Sequence, residues 1–142
     1  MLGKYRVVCD SPTMTQRYSD GTGWEDLAGY SRGIRAGEFI AISGTTAHGI
    51  DGLSLFPGDA YEQTRVCLER CIRAVEALGG SRESIIRTRL FLVPSAEWEG
   101  ASRAHREILG DVAPANTTLY ISALVGEGFA VEVEVDATAS DK

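Results

Sequence analysis

Hydrophobic and polar positions alternate most strictly near the end of the chain. There, Val131-Glu132-Val133-Glu134-Val135 sends every valine to one face of a strand and both glutamates to the other. Thr117 to Leu124 reads as a strand just before it, and Phe129 to Ala137 carries the alternating run. Nearer the N-terminus, Tyr5 to Val8, Tyr30 to Arg35 and Phe39 to Thr45 have strand patterns. Arg35-Ala36-Gly37-Glu38 predicts a tight hairpin, with a glycine available for positive φ. Residues 10–28 are polar and irregular and predict a loop that packs through its aromatic residues. His48-Gly49-Ile50-Asp51-Gly52 predicts a turn-rich loop.

The period changes in the middle of the chain. Ala60, Thr64, Cys67, Leu68, Cys71, Val75 and Leu78 fall on one face of a helix. Asp59 is its N-cap, Glu62 completes a capping box, and Gly79-Gly80 ends it. Ser81 to Ser84 predicts a capped turn, and Ile85 to Val93 a strand broken by Pro94. Ser95 caps a second helix that buries Trp98, Ala101, His105, Ile108 and Leu109 and stops at Gly110. The order β-β-β-α-β-α-β-β predicts one domain over residues 1–142, a two-layer α/β sandwich with a mixed six-stranded sheet and two helices on one face. The alternation puts Tyr30, Asn116, Thr118, Tyr120, Glu132 and Glu134 on the uncovered face. A face so furnished predicts self-association.

Charge narrows the function. The chain carries 14 Lys and Arg against 20 Asp and Glu, a net charge of −6, and its basic residues form no run. Nucleic acid, which needs clustered positive charge, is a disfavoured partner. No stretch is apolar enough to span a bilayer, and the first residues lack the apolar core of a signal peptide, so a cytoplasmic location is expected. Asn116-Thr117-Thr118 matches a glycosylation sequon, which has no meaning without export. Cys9, Cys67 and Cys71 make an odd set with no metal-type pairing, and two histidines cannot build a histidine-rich site. Neither a metal nor a cofactor is expected.

Several segments, in this order and at these spacings, resemble the Rid family, the reactive-intermediate deaminases also known as YjgF-type or endoribonuclease L-PSP proteins. They are Gly29-Tyr30-Ser31-Arg32, Ile42-Ser43-Gly44-Thr45, Tyr61-Glu62-Gln63-Thr64, Ile86-Arg87-Thr88-Arg89 with Phe91, Pro114-Ala115, Leu124 and Val131-Glu132-Val133-Glu134. The Trp24-Glu25 stretch resembles a subgroup with an extended lead-in. The resemblance implies a chorismate-mutase-like fold and a homotrimer whose uncovered sheet faces form an inner barrel, with small-molecule clefts between subunits. It implies that Tyr30, Ser43 and Gly44 belong to the cleft and that Glu132 is the carboxylate that places a hydrolytic water. It also exposes a departure. Active deaminases carry an arginine after Pro-Ala that grips a 2-imino acid carboxylate, and here that position is Asn116. Thr118 stands two residues on, where cysteine is frequent.

Asparagine can hydrogen-bond a carboxylate but cannot neutralise it. Losing one charged partner of a desolvated pair costs about 2–5 kcal/mol. That is a loss of roughly thirtyfold to several thousandfold in rate. Ordinary 2-iminobutanoate or 2-iminopropanoate is therefore expected to be a poor substrate unless Arg89 or Arg32 supplies the cation. The competing role for both arginines is an ion pair with Glu132 or Glu134. His105 reads as a core or interface residue and His48, near Asp51, as a surface one, while Tyr120 and Trp24 are candidates to wall a pocket. Two functions stay open: a hydrolase or deaminase of a small reactive imine or enamine with Glu132 as acid and base, and a non-catalytic trimer that binds a metabolite in the same cleft. A ribonuclease activity is disfavoured by the acidic balance and the absence of a paired-histidine site.

Overall fold

In the computed structural model, which describes residues 5–10 and 15–140, the elements run β1 (Arg6–Asp10), β2 (Thr15–Ser19), α1 (Gly23–Ala28), β3 (Gly33–Ala36), β4 (Phe39–Thr45), α2 (Ala60–Ala77), β5 (Ile85–Leu92), α3 (Trp98–Leu109), β6 (Ala115–Tyr120) and β7 (Val131–Thr138). They build one seven-stranded sheet in the order β1-β2-β3-β4-β7-β5-β6. The alternating segment is the pivot of this sheet. β7 lies between β4 and β5, antiparallel to both, and Val131, Val133 and Val135 are fully buried. β5 and β6 are parallel, as a crossover through α3 requires.

The α2 helix begins where the chain is prepared for it. Asp59 accepts a hydrogen bond from the Glu62 amide at 3.0 Å, and Gly79 leaves the far end at a φ of 90°. Its inner face meets Ile40, Leu90, Leu92 and the β7 valines in a single core. The β3–β4 hairpin turns at Gly37, with a φ of 61°. A 3-10 turn over Arg82–Ser84, closed by reciprocal Ser81 and Ser84 bonds, leads into β5.

The sheet has one strand more than the pattern predicts. β2 and the short α1 lie in the stretch read as an irregular loop, of which residues 11–14 are outside the described residues. The sequence Thr-Gln-Arg-Tyr-Ser hides the strand because Tyr18 is its one buried side chain. Three other expectations shift. Tyr30 precedes β3 rather than starting it, β6 ends at Tyr120, and α3 starts at Trp98 without a side-chain cap. Trp98 is 51% exposed, because the buried stripe of α3 runs through the small Ala101 and Ala104 to Leu109.

Gln63 sits on the buried face of α2 with no exposed surface. Its amide nitrogen donates to the carbonyls of Leu55 at 3.0 Å, Phe56 at 3.0 Å and Gly128 at 2.8 Å, and its oxygen accepts from the Ala130 amide at 2.7 Å. One side chain thus ties two loops to the helix. Gln63→Leu keeps the size and strands these backbone groups in the core. It should lower stability by about 3 kcal/mol, read as the shift of a urea unfolding transition.

Candidate functional site

The site begins with a fault in the β4–β7 ladder. Ile42 pairs with Val135 and Thr45 with Val133, so Ser43 and Gly44 together stand opposite Glu134. This is a β-bulge, which re-aims the strand and frees carbonyls from the ladder. Arg32 takes those carbonyls. Its guanidinium reaches Gly44 O at 2.5 Å and Ser43 O at 3.4 Å, and it also bonds Thr45 Oγ1, the Tyr30 hydroxyl and Asp20, the last at 3.1 Å. The Arg32 amide donates to Glu25 Oε1 at 2.7 Å, and Ser19 donates to Glu25 Oε2. Burial pushes the Asp20 carboxyl up, but the Thr22 amide and the Arg32 charge outweigh it and hold Asp20 below the usual range.

Glu132 lies over the bulge. A Cβ at position 44 would stand 2.7 Å from Glu132 Oε1, so glycine there makes room for the carboxylate. Glu132 is half-buried, and among the described residues it has no hydrogen bond or ion pair. Burial raises its pKa above the ordinary glutamate value, Arg32 pulls it back, and Glu134 pushes it up again. Tyr30, Ser31, Ser43 and Ile34 line an open depression of about 600 Å³ beside the bulge. The Ser43 hydroxyl donates to Ser31 O at 2.6 Å.

The edge of the sheet departs from the pattern. β6 pairs with β5 in the register Thr88 to Asn116, and directly paired residues share a face. Thr88 is buried under α3, so Asn116, Thr118 and Tyr120 lie on the helix side and not on the face of Glu132. Asn116 donates to Thr88 Oγ1 at 3.0 Å and accepts from Thr118 at 3.0 Å, while Thr88 Oγ1 meets His105 Nε2 at 2.8 Å. Burial holds the His105 pKa down, so a neutral ring can accept the Thr88 proton. Tyr120 donates to Ala96 O at 3.0 Å.

On the uncovered face, Arg89 bridges Glu134 and Asp136, each at 3.4 Å, and Arg87 lies 3.7 Å from Asp136. Of the two arginines weighed as replacement cations, Arg89 is therefore paired with carboxylates of β7. Arg32 is paired with Asp20 rather than with Glu132 or Glu134. Cys67 and Cys71 are buried on α2, and burial raises both thiols, Cys71 to about 11. Among the described residues, no helix is long and apolar enough to cross a membrane.

The family model for Endoribonuclease L-PSP matches residues 24–139. The chain belongs to the endoribonuclease L-PSP family. An uncharacterized protein of Streptomyces coelicolor is 36% identical over 86% of this chain and 90% of its own length. A RutC family protein of Pyrococcus horikoshii is 28% identical over 78% of this chain and 85% of its own. Among solved structures, a Mycobacterium tuberculosis member of the YjgF/YER057c/UK114 family superposes with a TM-score of 0.78 at 29% identity, covering 88% of this chain and 99% of that one. Escherichia coli TdcF with bound serine shares the fold, with a TM-score of 0.69 at 22% identity over 78% and 88% of the two chains. Within this L-PSP chain, Tyr30, Ser43, Gly44 and Glu132 come together around the bulge, and Arg32 lies beneath it. Asn116, Thr118 and Arg89 do not join them. Asp20 and Glu25 organise the same region; neither is among the site residues the sequence predicts, because both fall in the polar stretch that reads as a loop.

The raised Glu132 pKa has a consequence for stability. The native state keeps its proton to a higher pH than the unfolded chain does, so the native state is weakened as pH rises from the ordinary glutamate pKa through the raised one. Glu132→Gln removes this titration. Its stability relative to the unmodified protein should be lowest in acid and should increase across that window, measured as the difference in urea midpoints at several pH values. A difference that stays flat with pH would mean that Glu132 titrates normally.

Proposed function

We propose that this L-PSP protein is a homotrimer that hydrolyses a small reactive imine or enamine other than the usual 2-imino acids, in clefts between subunits. The observation that carries the reading is Glu132, a half-buried carboxylate with a raised pKa and no partner among the described residues, held against a glycine bulge. A carboxylate tuned upward by burial suits proton transfer. Water adds to the C=N carbon while Glu132 takes its proton. Glu132 returns the proton to nitrogen to give a carbinolamine, then takes the carbinolamine hydroxyl proton and passes it to the amine as the C–N bond breaks, so that a carbonyl and ammonia leave.

Two features support the intersubunit cleft. In a single chain, the uncovered face keeps Ile34, Phe39 and Leu119 between 36% and 47% exposed. The sheet also separates the Asn116 edge from the Glu132 face, so only a neighbouring copy can bring one to the other. Light scattering should give about three times the chain mass of 15.3 kDa. A monomer at all concentrations would remove the cleft.

The neutral Asn116, engaged with Thr88 and Thr118, favours a substrate whose carboxylate is absent or is gripped elsewhere. Semicarbazide trapping of an imine released by a dehydratase should detect weak turnover of 2-iminopropanoate, and Asn116→Arg should raise it. With a competent imine, Glu132→Gln should keep the trimer and lower hydrolysis by roughly 10²–10⁴. The second reading, a trimer that binds a metabolite without turning it over, rests on the same uncharged Asn116. It takes precedence if Glu132→Gln leaves both the trimer and every measured rate unchanged.

A further inference from the structure

On the other side of the sheet, Tyr5 just before β1, β2, the loop after β2 with the start of α1, the end of β4, the 48–52 loop and α2 line a cavity of about 510 Å³. Glu132, Ser43 and Gly44 are not in its wall, and it is formed within one chain. We infer that this cavity is a second ligand site, which takes a small organic carboxylate with a flat apolar body.

The charge in the wall is uneven. Arg32 and Asp20 neutralise each other at 3.1 Å. Arg70 and Arg73 enter from α2, and among the described residues neither has a carboxylate partner. Arg70 donates to Thr46 O at 2.9 Å and His48 O at 2.7 Å, which fixes its guanidinium at the loop without cancelling its charge. Arg73 lies over the Tyr5 ring, 6.0 Å from its centroid, and donates to the Tyr5 hydroxyl at 3.3 Å. The remaining wall carboxylate, Asp51, accepts the Leu53 amide at 3.0 Å. Two arginines against one unpaired carboxylate leave this cavity positive in a chain whose net charge is −6.

The rest of the wall suits a flat body. Tyr5 and Tyr18 stack with their centroids 5.8 Å apart and their planes within 12°. Trp24 stands 56% exposed on the same wall. Polar groups are left over as well. Tyr18 lines the cavity, and its hydroxyl has no hydrogen bond among the described residues. The Thr22 hydroxyl is buried beside the Asp20 carboxylate, whose charge it helps to stabilise, without a well-formed bond. A buried hydroxyl without a partner is uncommon in a finished core, and the Thr22 hydroxyl, the one such atom among the described residues, borders the cavity. A carboxylate between Arg70 and Arg73, with its ring against Tyr18 and Trp24, satisfies the charge and the aromatic wall together.

The test uses benzoate and its neutral counterpart benzyl alcohol, titrated calorimetrically into the full-length protein. Trp24 fluorescence is followed in a Trp98→Phe background. Benzoate should bind once per chain and perturb Trp24, and benzyl alcohol should bind roughly tenfold or more weakly, as expected for loss of a charged hydrogen bond. Arg73→Gln, an exposed position on α2, should weaken benzoate by a similar factor while leaving the circular dichroism spectrum unchanged. Glu132→Gln should leave benzoate affinity as it was, which separates this site from the one over the bulge. No saturable binding at millimolar benzoate, equal binding of the two probes, or indifference to Arg73→Gln overturns the inference. Loss of benzoate binding in Glu132→Gln does so too, because it moves the ligand to the sheet face.

Discussion

A buried guanidinium needs acceptors on every side, and Arg32 finds them only by drawing in three parts of the chain. It is 8% exposed, and its partners are an aspartate from the loop after β2, two carbonyls and a hydroxyl from β4, and the Tyr30 phenol. Removing an arginine from water is costly unless its charge and its donors are both satisfied. Asp20 meets the charge, and the bulge carbonyls meet the donors, which a regular ladder would have used itself. The bulge and the buried arginine therefore require each other. Because Glu132 rests on that bulge and Arg32 also borders the helix-side cavity, both candidate sites take their shape from one ion.

The parts of the fold that were legible are those in which one sequence position decides one structural fact. The β7 valines alternate because one face meets α2 and the other does not. Asp59, Glu62 and Gly79 mark the ends of a helix by their own hydrogen bonds and dihedral freedom. The parts that were not legible depend on a partner distant in sequence. β6 is exposed at all six of its positions, so no periodicity reports which face turns inward. Its facing is set by parallel pairing with β5, and Asn116 follows Thr88 to the helix side. β2 was hidden for a similar reason, since a strand near an edge needs only Tyr18 to bury. Gln63 was counted within a motif but not in the core, although a polar residue in step with Ala60 and Cys67 is a signal that it must be satisfied there.

For the candidate site, the same distinction separates what the family pattern can transfer from what it cannot. Tyr30, Ser43, Gly44 and Glu132 converge because the bulge and its arginine are local to two adjacent strands. Asn116 belongs to a different environment, between a neutral histidine and two threonines at an edge. A short uncharged amide fits that network and completes it, since each of its polar atoms meets one threonine hydroxyl. A guanidinium carries only donors, so it could not accept the Thr118 hydroxyl as the Asn116 oxygen does, and its charge would lose water at the edge of the core. An arginine at 116 must therefore extend outward past the edge of the sheet, toward whatever lies against it. The identity of this one residue thus decides whether the edge carries a charge outward or closes on the buried Thr88.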